Sequence, residues 1–330
     1  MGEKLINKAL THKNNWMEPL NKSNMKSVSV IIPVFKPEHL EEVLQHLRNI
    51  GGYDEIILVD DTGDVDKTRY DNIKNLDTKV YFHKKNYGRA AARNTGAIKA
   101  KGEILVFIDQ DMFLSKSFFS IMQMYYASNE SLVFLGIRRN ISYEKIPKYP
   151  KSVCPEGELD WRIRTVINEN FIDLTVLNVG GKNDGCQCGE TISIFEKTSM
   201  LRNMGIEKKK TIGFWDLPSM VISHSMAIRK KDFVDIGGFP EWIKGWGGED
   251  IVLGFLACAA HIPIVLSDCI SYQAKHKPYS GSEKKQMEEL KSNIHRYKNW
   301  AKHVSEFPEI NFYEIEKRCI TIGYTGEVTK

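Results

Sequence analysis

Long apolar runs and low-complexity tracts are absent from this 330-residue sequence. A helix that crosses a membrane needs about 20 consecutive apolar residues. The longest obvious apolar run, residues 28–35, is only as long as a strand and contains Pro33. The first 26 residues are polar and lack the apolar segment of a signal peptide. We therefore expect a cytoplasmic protein without a transmembrane segment, for which peripheral contact with a membrane stays open.

Strong net charge and a cysteine framework are missing as well. The formal net charge is +4, and the Lys and Arg residues are scattered beside Asp and Glu, which argues against a nucleic-acid partner. Cys186 and Cys188 have no second close cysteine pair with which to build a tetrahedral metal site. We expect the six cysteines to be reduced thiols.

The two common glycine-rich phosphate loops are also missing. The sequence has no GxxxxGK[ST] motif, and no GxGxxG follows the first apolar run. If the chain binds a nucleotide, the nucleotide must therefore be held by another arrangement.

Apolar strands alternate with helical segments in the first third of the sequence. The strand-like runs are residues 28–35, 55–61, 80–83 and 103–111. Strands that are almost wholly apolar are typical of a parallel sheet that helices cover on both faces. Residues 130–220 show no clear pattern, and residues 281–304 predict an amphipathic helix.

Acidic residues follow two of these strands. Asp60 and Asp61 end one strand, and Asp109 and Asp111, separated by Gln110, end another. Ligands of such sheets bind beyond the carboxyl ends of the strands. In an extended segment Asp109 and Asp111 share a face, where two carboxylates suit a hard ion such as Mg²⁺ or Mn²⁺. The alternative is that both acids cap the next helix.

Two later motifs supply further candidates. NYGRAAARNTG, residues 86–96, places Arg89 and Arg93 one helical turn apart, where an arginine could pair with a ligand phosphate or only with the strand-end acids.

GWGGED, residues 245–250, places two glycines before Glu249 and Asp250. Glycines allow close approach of a ligand, and the start of a helix would keep an acid ionised and available as a base. The alternative is that Asp250 only caps its helix.

Taken in order, these segments resemble the family 2 glycosyltransferases. The resemblance rests on VSVIIPVF, ILVDD followed by TGD, NYGRAAARNTG and FIDQD, over about residues 27–115. The segments MAIRKKDFVDIGGFPE and GWGGEDIVLGFLA are similar to the segment shared by β-1,4-galactosyltransferases and polypeptide N-acetylgalactosaminyltransferases. The resemblance implies the α/β GT-A fold, a Rossmann-like fold with a mixed, mostly parallel sheet and helices on both faces.

The resemblance also implies a division of the chain. Residues 1–26 are expected to be an N-terminal extension, and residues 27–280 the GT-A domain. Within that domain, residues 27–115 are the nucleotide-binding half and residues 116–280 the acceptor and catalytic half. Residues 281–330 are expected to form a C-terminal helical extension.

The resemblance further implies roles for individual residues in donor and metal binding. Asp60 or Asp61 would contact the base. Asp111 would be the direct metal ligand, with Asp109 nearby and His276 completing a site for Mn²⁺ or Mg²⁺, and His224 is a competing candidate. The implied donor-binding residues are Pro33, Phe35, Asp60, Asp61, Arg93, Asp109, Gln110 and Trp246.

For catalysis, the resemblance implies that Asp250 is the general base and that Glu249 binds acceptor or donor hydroxyls. Trp246 would form an apolar floor for a sugar ring. The retaining N-acetylgalactosaminyltransferases carry Asn at the position of Asp250, and usually His at the position of Asp111. Both departures point to an inverting enzyme.

The expected function is metal-dependent transfer of a hexose from a nucleotide sugar to a glycan, glycolipid or peptide. UDP-GalNAc, UDP-GlcNAc, UDP-Gal and UDP-Glc are the expected donors. One alternative is a sugar nucleotidyltransferase, which should carry a basic glycine-rich loop where VFKPEH stands. The other is a sugar-binding module without catalysis, which would not need both groups of carboxylates.

Overall fold

The computed structural model describes residues 25–66, 68–70, 78–128, 131–148, 158–159, 221–274, 282–301 and 303–322. The described strands are β1 (Val28–Val34), β2 (Glu55–Asp60), β3 (Thr78–His83), β4 (Ile104–Ile108), β5 (Met112–Phe113), β6 (Val133–Ile141), β7 (Glu158–Leu159), β8 (Ser225–Arg229), β9 (Ile264–Ala274) and β10 (Cys319–Ile322). The described helices are α1 (Leu40–Ile50), α2 (Arg89–Lys99), α3 (Phe118–Ser128), α4 (Lys230–Asp235), α5 (Glu249–Ala259), α6 (Glu283–Ala301) and α7 (Phe312–Arg318), with a 3₁₀ helix at Tyr143–Lys148. Cys186 and Cys188 lie outside these ranges.

These strands form one mixed sheet in the order β10-β3-β2-β1-β4-β8-β6-β9-β5, with β7 paired to β6. β3, β2, β1 and β4 are parallel neighbours. β8 runs antiparallel to β4, and β6 runs parallel to β9. Crossover helices between parallel strands explain why the first third of the sequence alternates between the two kinds of element.

Two apolar cores lie on opposite faces of the sheet, because successive side chains of a strand point in opposite directions. Ile31 of β1 packs into the core that contains residues of α2, α5 and α6. Its neighbours Val30 and Ile32 pack into the core that contains residues of α1 and α3. All three side chains are fully buried, and each contributes roughly 1.5–3 kcal/mol of hydrophobic stabilisation. Helices on both faces were predicted and are observed.

The C-terminal part of the chain belongs to this architecture. The amphipathic helix predicted over residues 281–304 is observed as α6, whose Tyr297 and Ala301 are buried in the first core. The segment expected to form a C-terminal helical extension, residues 281–330, also contains β10, which pairs antiparallel with β3 at the edge of the sheet. None of the described helices has the length and apolar character needed to cross a bilayer.

Candidate active site

Arg93 is the buried centre of an ionic cluster that joins three parts of the chain. It lies on α2 with 2% of its surface exposed. Its Nη2 donates to Asp109 Oδ1 over 2.9 Å, and its Nη1 donates to Glu249 Oε1 over 3.0 Å. Asp250 Oδ1 lies 3.7 Å from Nη1, and the ring of Phe239 lies beneath the guanidinium. Four of the predicted residues are therefore brought together at one point.

The charges of this cluster depend on one another. Burial alone would lower the pKa of Arg93, but the carboxylates of Asp250, Asp109 and Glu249 outweigh burial and raise it. Burial would raise the pKa of Asp109, yet Arg93 and Arg89 outweigh it and the pKa is lowered. Arg89 adds a second cation, with its Nε 3.4 Å from Glu249 Oε1.

Asp250 lies in the first turn of α5 and accepts a hydrogen bond from Ser223 Oγ over 2.6 Å. Burial and the charge of Glu249 raise the pKa of Asp250 to about 6, although Arg93 and Ser223 lower it. Desolvation beside a second acid therefore opposes the ionisation of Asp250, although an acid with a pKa of about 6 is still ionised at pH 7. The N-cap is Gly248, with φ 97° and no side-chain hydrogen bond, so Asp250 does not cap the helix.

Glu249 has one engaged and one unengaged carboxylate oxygen. The residue is 1% exposed, and Oε1 lies against Arg93 and Arg89. Oε2 is buried and has no hydrogen-bond partner within the described residues. A buried acceptor without a donor costs about 1–3 kcal/mol. Such an atom is therefore a natural position for a hydrogen-bond donor supplied by a ligand.

Asp60 and Asp61 lie at the carboxyl end of β2. Asp60 accepts four hydrogen bonds, from Thr62 N and Oγ1, Arg69 Nη1 and Tyr70 Oη, at 2.5–2.9 Å. A carboxylate has about four acceptor positions, so Asp60 has none left for a ligand. Asp61 accepts three such bonds within the described residues.

The three bonds to Asp61 fix its surroundings and leave one acceptor position. Oδ1 contacts His83 Nδ1 over 2.7 Å and accepts from Tyr87 N over 2.8 Å. Oδ2 accepts from Gly88 N over 2.7 Å. Asp61 thereby holds the residues that lead into α2, and the remaining position is on Oδ2.

Gln110 holds the loop that follows β1. Its Oε1 accepts from Phe35 N over 2.8 Å, and its Nε2 donates to Phe35 O over 2.9 Å. Pro33 lies two residues earlier, paired with Val59 of β2. Gln110 thus fixes the backbone of Phe35 just after the end of β1, and Pro33 is the sixth residue of that strand.

Asp111 lies beside the end of β9. Both of its carboxylate oxygens accept from Gln273 Nε2, at 3.1 and 3.0 Å, and Ala274 N donates to its carbonyl oxygen over 3.0 Å. Asp109 and Asp111 supply the oxygen donors that Mn²⁺ and Mg²⁺ prefer, so this donor set fits such an ion. No cluster of three or more His, Cys, Asp or Glu side chains suited to a metal is found in the part of the chain that the structure describes.

Of the two candidate histidines, only His224 lies within the described residues. His276 lies outside the described residues, two positions after Ala274. His224 is 1% exposed, its Nδ1 lies 2.8 Å from Ser225 Oγ, and its charge helps to lower the pKa of Asp109. His224 is therefore close to the acidic edge.

The glycine loop before α5 is held by α6. Asn293 Nδ2 donates to Lys244 O over 3.0 Å and to Gly247 O over 2.8 Å. Glu289 Oε2 accepts from Trp246 N over 2.9 Å. Gly247 has φ 77°, a value that favours glycine. The partly buried Trp246 therefore has a fixed backbone next to the cluster.

Sequence reasoning missed Ser223 and Asn293. A signal for Asn293 exists, because it lies three residues after Leu290 and four before Tyr297, so it is a polar residue on the apolar stripe of α6. Ser223 lies in a segment without a helical or strand pattern, and only the structure shows its contact with Asp250.

The fold places the chain in the GT-A class of proteins. The solved structure of GalNAc-T7 with UDP, GalNAc and Mn²⁺ superposes with a TM-score of 0.54 at 15% identity, covering 83% of this chain and 48% of that one. The model of glycosyl transferase family 2 matches residues 29–235, and a model described as the N-terminal domain of galactosyltransferase matches residues 220–255. The chain belongs to glycosyl transferase family 2.

Named relatives agree with this membership. Validoxylamine A glucosyltransferase of Streptomyces hygroscopicus subsp. limoneus is 25% identical over 308 residues, which are 90% of this chain and 61% of that protein. A putative polypeptide N-acetylgalactosaminyltransferase 10 of Caenorhabditis briggsae is 24% identical over 281 residues, 79% of this chain and 38% of that protein. The chain thus spans less than two thirds of either relative. The predicted family and fold are confirmed.

Proposed function

We propose that this chain is an inverting, metal-dependent glycosyltransferase that moves a hexose from a UDP-sugar to an acceptor hydroxyl. The observation that carries the proposal is the ionic cluster in which the buried Arg93 joins Asp109, at the end of β4, to Glu249 and Asp250, at the start of α5. Strand-end acids and a second pair of acids close to them are what donor binding and acceptor activation require.

Donor binding is assigned to the ends of β1, β2 and β4. Asp61 is favoured over Asp60 for the base, because Oδ2 of Asp61 retains an acceptor position that an N–H group of a uracil could fill. Phe35 and Pro33 would contact the nucleoside. The solved relative that holds UDP supports the choice of UDP.

Asp109 and Asp111 would hold Mn²⁺ or Mg²⁺, with His276 as the third ligand. The ion would supply a Lewis acid that neutralises the charge of the departing diphosphate. Arg93 keeps Asp109 ionised and thus ready to bind a cation. The contact between Ala274 and Asp111 supports His276, since only Lys275 separates Ala274 from this histidine.

Acceptor activation is assigned to Asp250. Its carboxylate takes the proton of the acceptor hydroxyl as that oxygen bonds to C1 of the sugar and the C1–O bond to the diphosphate breaks. A base works best when its pKa lies near the working pH, and a pKa of about 6 leaves Asp250 ionised at pH 7. Ser223 orients the carboxylate. Glu249 Oε2 would accept from a sugar hydroxyl, and Trp246 would form an apolar floor for a sugar ring.

The acceptor class remains a glycan, a glycolipid or a peptide. The glucosyltransferase and polypeptide N-acetylgalactosaminyltransferase relatives are named for different acceptors.

The test is a panel of UDP-hexoses and UDP-N-acetylhexosamines incubated with the full chain and Mn²⁺, with release of UDP as the readout. One donor should be consumed faster than the others. Chelation with EDTA should lower that rate about 100-fold or more, because a metal contributes several kcal/mol at the leaving group, and Mn²⁺ should restore it. Failure of every donor with every ion would favour a binding module, and an unchanged rate in EDTA would remove the metal from the proposal.

A further inference from the structure

A buried chain of hydrogen bonds runs from the C-terminal segment to Asp61. Arg318, the last residue of α7, is 4% exposed. Its Nε donates to Thr95 Oγ1 over 3.1 Å. Thr95 Oγ1 lies 2.9 Å from His83 Nε2, and His83 Nδ1 lies 2.7 Å from Asp61 Oδ1. His83 and Thr95 are both fully buried.

The donors and acceptors available in these groups fix which partner donates at each hydrogen bond. A carboxylate only accepts hydrogen bonds, so Nδ1 of His83 carries the proton that faces Asp61. In the neutral ring Nε2 is then an acceptor, and the Thr95 hydroxyl donates to it. The Thr95 oxygen in turn accepts from Arg318. Each donor thus meets an acceptor from Arg318 to Asp61.

The charge of Arg318 is balanced without drawing on Asp61. Its two terminal nitrogens bind the two carboxylate oxygens of Glu241, and Nη2 also donates to Ala91 O. Glu241 also accepts from Asn94 Nδ2 over 2.9 Å. Arg318 is therefore fixed against α2 by several contacts, and its Nε is aimed at Thr95.

We propose that Arg318 is a positioning residue of the donor site. Acting through Thr95 and His83, it holds the Asp61 carboxylate so that one position on Oδ2 faces the base of the nucleotide. This inference rests on the proposed function, in which Asp61 contacts the base. Residues 29–235 and 220–255 carry the family matches, so the inference extends the donor site to a segment beyond both.

The sharpest test changes Thr95, because Thr95→Val removes the hydroxyl and keeps the shape and the Arg318–Glu241 pair. UDP binding to the full-length chain with Mn²⁺ is measured by calorimetry. Thr95→Val should weaken UDP binding about tenfold, the effect of one misdirected hydrogen bond. Thr95→Ser, which keeps the hydroxyl, should bind UDP within about twofold of the wild type.

Arg318→Met should weaken UDP binding to a similar extent. The double variant with Thr95→Val should bind UDP no more weakly than either single variant, because both substitutions interrupt the same series of hydrogen bonds. Lys317→Met is the matched control. It removes the neighbouring, exposed charge of the same helix, and UDP binding should not change. If Arg318→Met does not fold, the Thr95 pair carries the test alone.

The histidine gives a second readout. In the wild type, nitrogen-15 spectra should show His83 as the Nδ1–H tautomer, and Thr95→Val should disturb that signal. Thr95→Val that binds UDP as tightly as the wild type would overturn the inference and leave the proposed function standing. A wild-type chain that binds no UDP would instead contradict the proposed function, and the inference would fall with it.

Discussion

Two pairs of adjacent acids look alike in the sequence but differ in how fully the folded chain satisfies their carboxylates with hydrogen bonds. Asp60 and Asp61 accept seven hydrogen bonds between them within the described residues. Of the second pair, Glu249 keeps a buried oxygen that has no hydrogen-bond partner among the residues that the structure describes. Asp250 has a pKa raised to about 6. The first pair is engaged by hydrogen bonds on every carboxylate oxygen, whereas in the second pair burial opposes the charge of Asp250.

The contrast indicates that the acids at the end of β2 stabilise the fold, whereas those at the start of α5 are suited to binding or chemistry. Hydrogen bonds to Asp60 join the end of β2 to the turn that follows it. The pair at the start of α5 is kept close to Arg93 but is incompletely satisfied, which costs folding energy. Buried groups held in this way are more typical of functional sites than of scaffolds.

The largest effect on stability is expected for Asp60→Asn. The substitution removes the charge that faces Arg69 and places an amide N–H where Tyr70 and Arg69 donate. We expect the free energy of unfolding to fall by roughly 3–5 kcal/mol, the cost of breaking a buried pair, as measured by urea denaturation. Asp64→Asn is the control, since Asp64 is exposed and 3.9 Å from Arg69. Equal effects of the two substitutions would contradict the account of Asp60.

A smaller effect of opposite sign is expected for Asp250→Asn. The folded protein raises this pKa from 3.8 to about 6, so the ionised acid destabilises the fold. The neutral amide should raise the free energy of unfolding at pH 7 by roughly 1–3 kcal/mol. Because the wild-type acid becomes protonated, the gain should shrink as the pH falls below about 6 and vanish below about 4.

The control for this measurement is Asp235→Asn, an exposed acid paired with Lys231 four residues away. Its effect should lie within about 0.5 kcal/mol of zero. If Asp250→Asn destabilised the chain at pH 7, the second pair of acids would be structural like the first.

The sequence predicted the central architecture because that part depends on local pattern. The apolar runs that became β1, β2 and β4 are visible without any knowledge of their partners. β10 was not predicted, since a four-residue strand at Cys319–Ile322 is defined by its pairing with β3. Such pairing is a tertiary property that a short run does not encode.

The sequence identified the candidate residues but not the hydrogen-bond partners of their side chains. Both pairs of acids were identified, yet the sequence left Asp60 and Asp61 as alternatives. The proposed choice of Asp61 rests on hydrogen bonds to donors that lie 22–27 residues away in the sequence. The contact of Ser223 with Asp250 spans 27 residues, and that of Arg93 with Glu249 spans 156. Contacts between residues so far apart in the sequence form only in the completed fold.

The most direct test of the account is sugar transfer by Asp250→Asn beside its affinity for UDP. Removal of a general base typically lowers a rate by about 10²–10⁴-fold, and the account predicts a loss in this range. UDP affinity should stay within about twofold of the wild type, because the donor is assigned to other residues. Transfer near the wild-type rate, in a variant that binds UDP normally, would contradict the assignment of Asp250 as the base.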